Sequence, residues 1–270
     1  MNMKIFIDAG HGGKDSGASN AGLIEKNMTL ITAKSAAEYL RKYGCEVKLS
    51  RVNDIYLSLT QRAKMANNWG ADIFVSCHYN AGGGDRGETI HSVTYGKGTL
   101  LAGAIGNALK AFGQSVIKQY SKLATSGKGD YYTVISATNM PAVIVEPCFI
   151  DNEEDIKIAD TEDEQAQVGV AIAKGILTFA GIPSDEEVIS VSEQIINTIC
   201  SRTGKSVDEV VEALAVLVGM VNVNEEDWEK EGVQHLMNAG LLNTMRDGRE
   251  PVEMGKLGLI LKRLEEKIKG

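Results

Sequence analysis

The fold class can be inferred from residues 4–13, which read Lys-Ile-Phe-Ile-Asp-Ala-Gly-His-Gly-Gly. An apolar run of strand length ends here in a glycine-rich turn, and His11 stands directly behind the run. Two further apolar runs, 71–78 and 141–146, also end in a side chain that can bind a metal or a proton. Short apolar runs bounded by turn signals are typical of strands that are buried on both faces of a parallel sheet.

Helical patterns separate these strands along the chain. Helices are predicted at 28–43, 58–69, 99–113 and 163–179, with one more strand at 45–50. Glycine follows two of the helices directly, as it commonly does at a helix end. The alternation of strands and helices predicts an α/β domain with a largely parallel sheet.

Gly181 and Pro183 interrupt the chain, and the amino-acid composition changes after them, which predicts a domain boundary. We expect one α/β domain at 1–182 and a small all-α domain at 183–270. The second part contains the capping box Ser-Val-Asp-Glu at 206–209. Further helices are predicted near 188–200, 225–238 and 252–269. A separate helical unit after a linker suggests anchoring to a partner or to a second copy, and a merely structural appendage is the alternative.

Composition excludes several classes of function. The formal net charge is −8, and neither part of the chain has the basic surplus that nucleic-acid binding usually requires. The sequence contains no apolar run of the roughly 18 to 20 residues that a membrane helix needs, so no membrane insertion is expected. The four cysteines form no Cys-x-x-Cys pair, and we expect them to be unpaired and mostly buried.

Four side chains could carry chemistry near the predicted strand ends. His11, His78 and Glu146 each stand at the end of an apolar strand, and Glu25 lies in the loop before the first helix. Ligands of open α/β sheets bind beyond the carboxyl ends of the strands. Two histidines and one glutamate can hold a catalytic zinc, and a further carboxylate can transfer a proton. Because the spacings are long, each residue alone has a plainer reading as a turn, core or solvated side chain.

Four motifs, in the same order, resemble the zinc N-acetylmuramoyl-L-alanine amidases of the third amidase family. They are Gly-His-Gly-Gly-Lys-Asp-Ser-Gly-Ala at 10–18, Leu-Ser-Leu-Thr-Gln-Arg-Ala-Lys-Met-Ala-Asn at 57–67, Ser-Cys-His-Tyr-Asn-Ala at 76–81 and Pro-Ala-Val-Ile-Val-Glu-Pro-Cys-Phe-Ile-Asp-Asn at 141–152. The similarity extends over about residues 3–181. One departure is Pro147-Cys148, where the family usually carries a glycine just before the phenylalanine.

The resemblance implies a fold and a set of roles. The implied fold is a mixed sheet flanked by helices. The implied zinc ligands are His11, Glu25 and His78, and Glu146 would be the catalytic carboxylate. Three more residues are candidates for supporting the ligands or the substrate: Asp15, Asn80 and Arg62. Arg62 is expected to pair with a carboxylate that holds its helix against the sheet, and His91 is expected to be exposed.

The function implied by this resemblance is hydrolysis of the amide bond between the lactyl group of N-acetylmuramic acid and L-alanine in bacterial peptidoglycan, which lyses the wall. There are three alternatives to this function. A zinc endopeptidase or carboxypeptidase of the stem peptide would use the same groups, and a wall-binding protein would have lost catalysis. A nucleotide-binding α/β protein is disfavoured because residues 10–17 lack the order Gly-x-Gly-x-x-Gly.

The start of the chain enters a strand at once and shows no signal-peptide pattern. We therefore expect synthesis in the bacterial cytoplasm without a signal peptide and action on the cell wall after release. A leaderless wall hydrolase with an appended module resembles bacteriophage endolysins, and a bacterial enzyme of mother-cell lysis is the alternative. Residues 183–270 are expected to bind the wall or to form a homodimer.

Overall fold

The computed structural model describes residues 2–184. The helices predicted at 188–200, 225–238 and 252–269, the proposed C-terminal module and Cys200 lie outside the described residues.

Eight strands and five α-helices make up the described part of the chain. The strands are β1 Lys4–Ala9, β2 Ser19–Asn20, β3 Leu23–Ile24, β4 Glu46–Leu49, β5 Ile73–Cys77, β6 Gly87–His91, β7 Ile117–Ser121 and β8 Ala142–Glu146. The helices are α1 Glu25–Lys42, α2 Leu59–Trp69, α3 Lys97–Phe112, α4 Thr133–Ser136 and α5 Glu162–Ala180, with a 3-10 turn at Asp155–Ile158.

Six strands form one sheet in the order β4-β1-β5-β8-β6-β7. The first four strands in this order run parallel to one another. Strand β6 pairs antiparallel with β8, and β7 pairs parallel with β6. The sheet is therefore mixed and largely parallel, which confirms the expected fold class. Strands β2 and β3 form a separate two-stranded hairpin.

Helices cover both faces of the sheet because the inner strands are apolar on both sides. Residues Ile5 and Ile7 of β1 face the cluster that includes α1, α3 and α5. Phe6 points to the opposite face, where it stacks on Phe74 with ring centroids 5.7 Å apart. Ala66 of α2 and the apolar side chains of α4 complete that second cluster.

Helix ends follow recognisable signals in the sequence. Ser58 caps α2 in a capping box with Gln61, and Gly70 ends this helix in the left-handed conformation. Helix α1 begins at Glu25, three residues before the predicted start and without a side-chain cap. Its first amides instead donate to carbonyl oxygens of the preceding loop, an arrangement that leaves no signature in the sequence. The prediction that Glu25 lies in the loop before this helix is therefore wrong, because Glu25 is the first residue of the helix.

Four strands and one histidine differ from the sequence predictions. Strands β2 and β3 were not predicted because each has only two residues. Strands β6 and β7 were not predicted because β6 carries polar residues and β7 is a half-exposed edge strand. The prediction that His91 is exposed is wrong, since it ends β6 with only 4% exposure. Its Nδ1 lies 2.9 Å from the carbonyl oxygen of Ser92, so its polar ring is satisfied inside the fold.

The described cysteines agree with the expectation from composition. Cys45, Cys77 and Cys148 are unpaired and buried. Within residues 2–184, no helix combines the length and the apolar character needed to cross a membrane.

Candidate active site

Three neighbouring strands deliver their terminal side chains to one crevice. His11 follows β1 by two residues, His78 follows β5, and Glu146 is the last residue of β8. Backbone hydrogen bonds keep the three strand ends side by side. The amide of Gly10 donates to the carbonyl of Cys77, and the amide of His78 donates to the carbonyl of Val145. The carboxyl ends of parallel strands thus meet at the edge where the sequence placed the site.

Glu25 joins two of these residues at the centre of the crevice. Its Oε1 lies 3.1 Å from Nε2 of His11 and 3.1 Å from Nδ1 of His78. One ligand atom from each of the three residues lies within 4.8 Å of the others. Within residues 2–184, this is the one group of three or more potential ligands that is close enough to share a metal ion.

The buried carboxylate of Glu25 is held from both sides. Oε1 also accepts the backbone amide of Tyr79 at 3.0 Å, and Oε2 accepts that of Ala18 at 2.8 Å. Burial acts to raise the pKa of Glu25, but the hydrogen bonds and charges of His11 and His78 outweigh it and leave the pKa well below its ordinary value. Glu25 is therefore ionised, as a metal ligand must be.

His11 is oriented by a second carboxylate. Its Nδ1 lies 2.9 Å from Oδ1 of Asp15, which leaves Nε2 directed toward Glu25. Burial lowers the pKa of His11, and the hydrogen bonds to Glu25 and Asp15 raise it more, so the net shift is upward. A carboxylate behind a ligating histidine fixes the ring and makes the ligand more basic.

Two buried arginines hold the turn that carries His11. Arg62 donates from Nη2 to the carbonyl oxygen of His11 at 2.6 Å and from Nη1 to Oδ1 of Asp8 at 2.7 Å. Arg51 donates from Nη2 to the carbonyl of Gly10 at 2.9 Å. His11 itself has a φ of 57°, which is unusual for a residue with a side chain. The carbonyl bonds stabilise this strained turn.

Glycine leaves the space that the ligand side chains occupy. A Cβ atom at Gly10 would overlap the imidazole of His78, and one at Gly17 would overlap Glu25 and His11. Gly17 also has a φ of 65°, which disfavours any other residue. The chain therefore forms a cradle around the three donor side chains, and larger residues at these two positions would displace them.

The donor set fits a zinc ion. Two ligand atoms at about 2.0–2.1 Å from one tetrahedral zinc lie about 3.3 Å apart. The 3.1 Å separations of Glu25 from His11 and from His78 are close to this value. Two imidazoles and one carboxylate also match a known ligand set of catalytic zinc, in which a fourth position stays open.

Glu146 is the fourth predicted residue, and it is held by a neighbour. Nδ2 of Asn80 donates to its Oε2 at 2.6 Å. Burial raises the pKa of Glu146 to about 7, with His78 lowering it and Glu88 and Glu25 raising it further. A carboxyl group that changes its charge near neutral pH can both accept and return a proton.

The structure therefore brings together His11, Glu25 and His78, with Asp15 against His11 and Asn80 against Glu146. Arg62 forms the predicted ion pair, and its partner is Asp8. Because Arg62 is only 2% exposed, it supports the turn and does not reach a substrate.

Sequence reasoning missed three buried polar residues around the site: Asp8, Arg51 and Glu88. An acidic residue inside an apolar strand, such as Asp8, was the available signal, because it needs a buried partner.

Comparisons with known proteins identify the family of this chain. The family model described as N-acetylmuramoyl-L-alanine amidase matches residues 5–178. The endolysin of Bacillus phage SPP1 is 35% identical over 181 residues, which are 65% of this chain and 65% of that protein. The N-acetylmuramoyl-L-alanine amidase CwlM of Bacillus licheniformis is 41% identical over 155 residues, covering 57% and 59% of the two chains.

A solved structure shows the same fold. The catalytic domain of CwlV, an N-acetylmuramoyl-L-alanine amidase from Bacillus (Paenibacillus) polymyxa var. colistinus, superposes with a TM-score of 0.57 at 31% identity. The match covers 67% of this chain and 99% of that domain. The chain spans less than two thirds of the length of the two curated relatives above. Since the family model matches well over half of the sequence, the chain belongs to the N-acetylmuramoyl-L-alanine amidase family.

Proposed function

We propose that this protein hydrolyses the amide bond between the lactyl group of N-acetylmuramic acid and L-alanine in bacterial peptidoglycan. The observation that carries the proposal is the cluster of His11, Glu25 and His78 beside the partly buried carboxyl of Glu146. Family membership supports the choice of bond, and the named activity of CwlM and CwlV supports it as well.

The cofactor in this proposal is zinc, held by His11, Glu25 and His78. When bound, zinc would polarise the scissile carbonyl and increase the acidity of a water molecule. Asp15 keeps the His11 ring turned so that Nε2 faces the site, and the amides of Tyr79 and Ala18 keep Glu25 in place. These residues pre-organise the donors and so reduce the entropy that is lost when the metal binds.

Glu146 performs the proton transfers in the proposed mechanism. Its carboxylate accepts a proton from the water that attacks the lactyl carbonyl carbon. The same carboxyl group then donates that proton to the alanine nitrogen as the carbon–nitrogen bond breaks. Asn80 fixes one oxygen of Glu146, which leaves Oε1 to take part in the proton transfers.

A digestion experiment tests the reaction. Purified peptidoglycan is treated with the wild-type protein and with Glu146→Gln, each with and without a chelator, and new ends are identified by mass spectrometry. The expected result is free N-terminal alanine with intact glycan strands, absent for the variant and restored to chelated wild type by zinc. Exposed Glu154→Gln is the matched control and should digest normally.

Other outcomes of this digestion would contradict the proposal. New ends within the stem peptide would indicate an endopeptidase or carboxypeptidase. New reducing sugar ends would indicate a glycosidase, and no digestion under any condition would indicate a wall-binding protein.

The proposed setting is the bacterial cell wall, which the protein reaches after synthesis in the cytoplasm. Similarity to a phage endolysin supports a lytic role. Residues 183–270 are proposed to bind the wall or to mediate a homodimer. Removing them should weaken wall binding or change the oligomeric state, and a shortened chain that retains both properties would contradict this part of the proposal.

A further inference from the structure

Glu88 is the neighbour of the proposed catalytic carboxylate across the sheet. In the antiparallel pair of β6 and β8, Glu88 lies directly opposite Glu146. Residues opposite one another in such a pair project from the same face with their Cβ atoms about 4.5–5.5 Å apart. Two acidic side chains therefore share one face at the point where the strand direction reverses.

The carboxylate of Glu88 is fully engaged. Its side chain is 4% exposed, and Oε1 accepts both Nε of Arg86 at 2.7 Å and Nη2 of Arg86 at 2.6 Å. Oε2 accepts the hydroxyl of Tyr120 at 3.0 Å. With both oxygens bonded and its side chain buried, Glu88 is suited to anchoring Arg86 and not to proton transfer.

Two side chains hold the guanidinium of Arg86, and its backbone is anchored separately. Its guanidinium lies over the ring of Phe149, 4.8 Å from the centroid, and its backbone amide donates to Oδ2 of Asp155 at 3.2 Å. The side chain nevertheless remains 33% exposed. Its Nη1 forms no hydrogen bond to any of the described residues 2–184. A guanidinium has five N–H groups, so those on Nη1 can still bind a ligand.

The position of Arg86 indicates which ligand it would bind. Arg86 is paired with Glu88, and Glu88 lies opposite Glu146 in the sheet, so the guanidinium is held next to the residue that neighbours the proposed catalytic carboxyl. A rigid guanidinium with an open edge binds carboxylates through charge-assisted hydrogen bonds, and little side-chain entropy is lost because Glu88 and Phe149 already hold it. An ion pair with a purely structural role would need no open edge beside the reacting groups.

We propose that Arg86 is a specificity-determining residue that binds a carboxylate of the substrate's stem peptide close to the scissile bond, and that Glu88 positions it. This inference rests on the proposed function, because it concerns the peptide side of the same bond. The nearest carboxylate in such a peptide belongs to the residue after alanine when that residue is glutamate.

Two small substrates that differ in one group provide the test. In N-acetylmuramoyl-L-alanyl-D-glutamate the α-carboxylate of the second residue is free, and in the D-isoglutamine compound the same α-group is an amide of nearly equal size. The γ-carboxylate is free in both compounds, so it does not contribute to the difference between them. The zinc-loaded protein is assayed for kcat and KM on both. We expect kcat/KM to favour the acid by about tenfold or more, as for a charge-assisted hydrogen bond.

Variants at Arg86 separate this role from general effects. Arg86→Gln should abolish the preference by raising KM for the acid alone, and Arg86→Lys should retain part of it. Lys118→Gln removes a positive charge that lies 3.8 Å from Glu88 and should keep the preference. Because Glu146 serves both substrates, any effect of these variants on Glu146 cancels in the ratio.

Glu88→Gln tests the positioning role. It should raise KM for the acid substrate and leave KM for the amide unchanged, whereas a structural role alone would alter both. As a readout without turnover, calorimetry with Glu146→Gln should give a lower Kd for the acid than for the amide. The difference should vanish when Arg86→Gln is added.

The outcomes distinguish the two proposals. Equal kcat/KM for both substrates, or an unchanged preference in Arg86→Gln, would overturn the role of Arg86 and leave the amidase proposal standing. If wild type with zinc cleaved neither the small substrates nor peptidoglycan, the proposed function would fail, and the role of Arg86 would fail with it.

Discussion

Asn80 and Glu146 are joined by a hydrogen bond of 2.6 Å from Nδ2 to Oε2, although they lie 66 positions apart in the sequence. Asn80 cannot move independently, because its amide donates to the carbonyl of Cys148 and its carbonyl accepts the amide of Ile150. The loop after β5 and the loop after β8 are thereby linked, and the proposed proton carrier is aligned by the strand next to its own.

Asn80→Ala is expected to lower kcat by about 10- to 100-fold, because a catalytic carboxylate free to rotate spends less time in the reactive geometry. Zinc content should not change, since Asn80 contacts none of the proposed ligands through its side chain. The measurement is a steady-state assay together with metal analysis. Asn107→Ala, on an exposed position of α3, is the control. A wild-type kcat in Asn80→Ala would show that the bond is dispensable.

His78→Ala is expected to remove bound zinc, because two remaining ligands rarely retain the metal against dialysis. His91→Gln is the matched control, since His91 is a buried histidine of the same sheet that belongs to no ligand cluster. Elemental analysis of dialysed protein should give about one zinc per chain for wild type and control, and almost none for His78→Ala. Equal zinc in all three would place the metal elsewhere.

Glu146→Gln is expected to stabilise the metal-free protein in a pH-dependent manner. Burial raises the pKa of Glu146 from 4.5 to about 7. The stability that this proton contributes is complete below pH 4.5 and is lost as the pH rises through about 7. The ionised wild-type side chain should therefore cost up to about 3 kcal/mol at pH 8, and the neutral glutamine avoids this cost.

Urea denaturation of both metal-free proteins at pH 4 and pH 8 measures this difference. The variant should have the higher free energy of unfolding at pH 8 and a similar one at pH 4. A difference that is the same at both pH values would show that Glu146 titrates normally in the fold.

Arg62→Met is expected to destabilise the protein by about 3–5 kcal/mol, because it leaves the buried carboxylate of Asp8 without its cation. Both side chains of this ion pair are at most 3% exposed. Replacing both partners, as Arg62→Met with Asp8→Asn, should recover part of the loss. Urea unfolding gives the comparison, and a single variant as stable as wild type would show that Ser76, which also bonds Asp8, is a sufficient partner.

Much of the site could be predicted because its residues follow apolar strands. His11, His78 and Glu146 stand where β1, β5 and β8 end, and parallel strands bring such ends together whatever their separation in sequence. The position of Glu25 beside these residues was harder to predict from the sequence. It depends on a helix that starts without a cap, so the residue pattern offered Glu25 only as a candidate and the resemblance to a family supplied its role as a ligand.

The missed features share a physical cause. Strand β6 contains Glu88 and His91, whose polar character hides the strand from any pattern based on apolar residues. The carboxylate of Glu88 can be buried because Arg86 and the distant Tyr120 both donate to it. Such pairings follow from strand order, which single-sequence periodicity does not contain.

The glycine cradle limits how this protein can change over generations. Gly10 and Gly17 contribute no donor atom, yet a single methyl group at either position would occupy the volume of a ligand side chain. Substitutions near the site are therefore restricted by the available volume as strongly as by the need to keep the donor atoms. A descendant that kept every donor and exchanged one of these glycines for alanine would inherit all the groups of the site without the geometry that joins them.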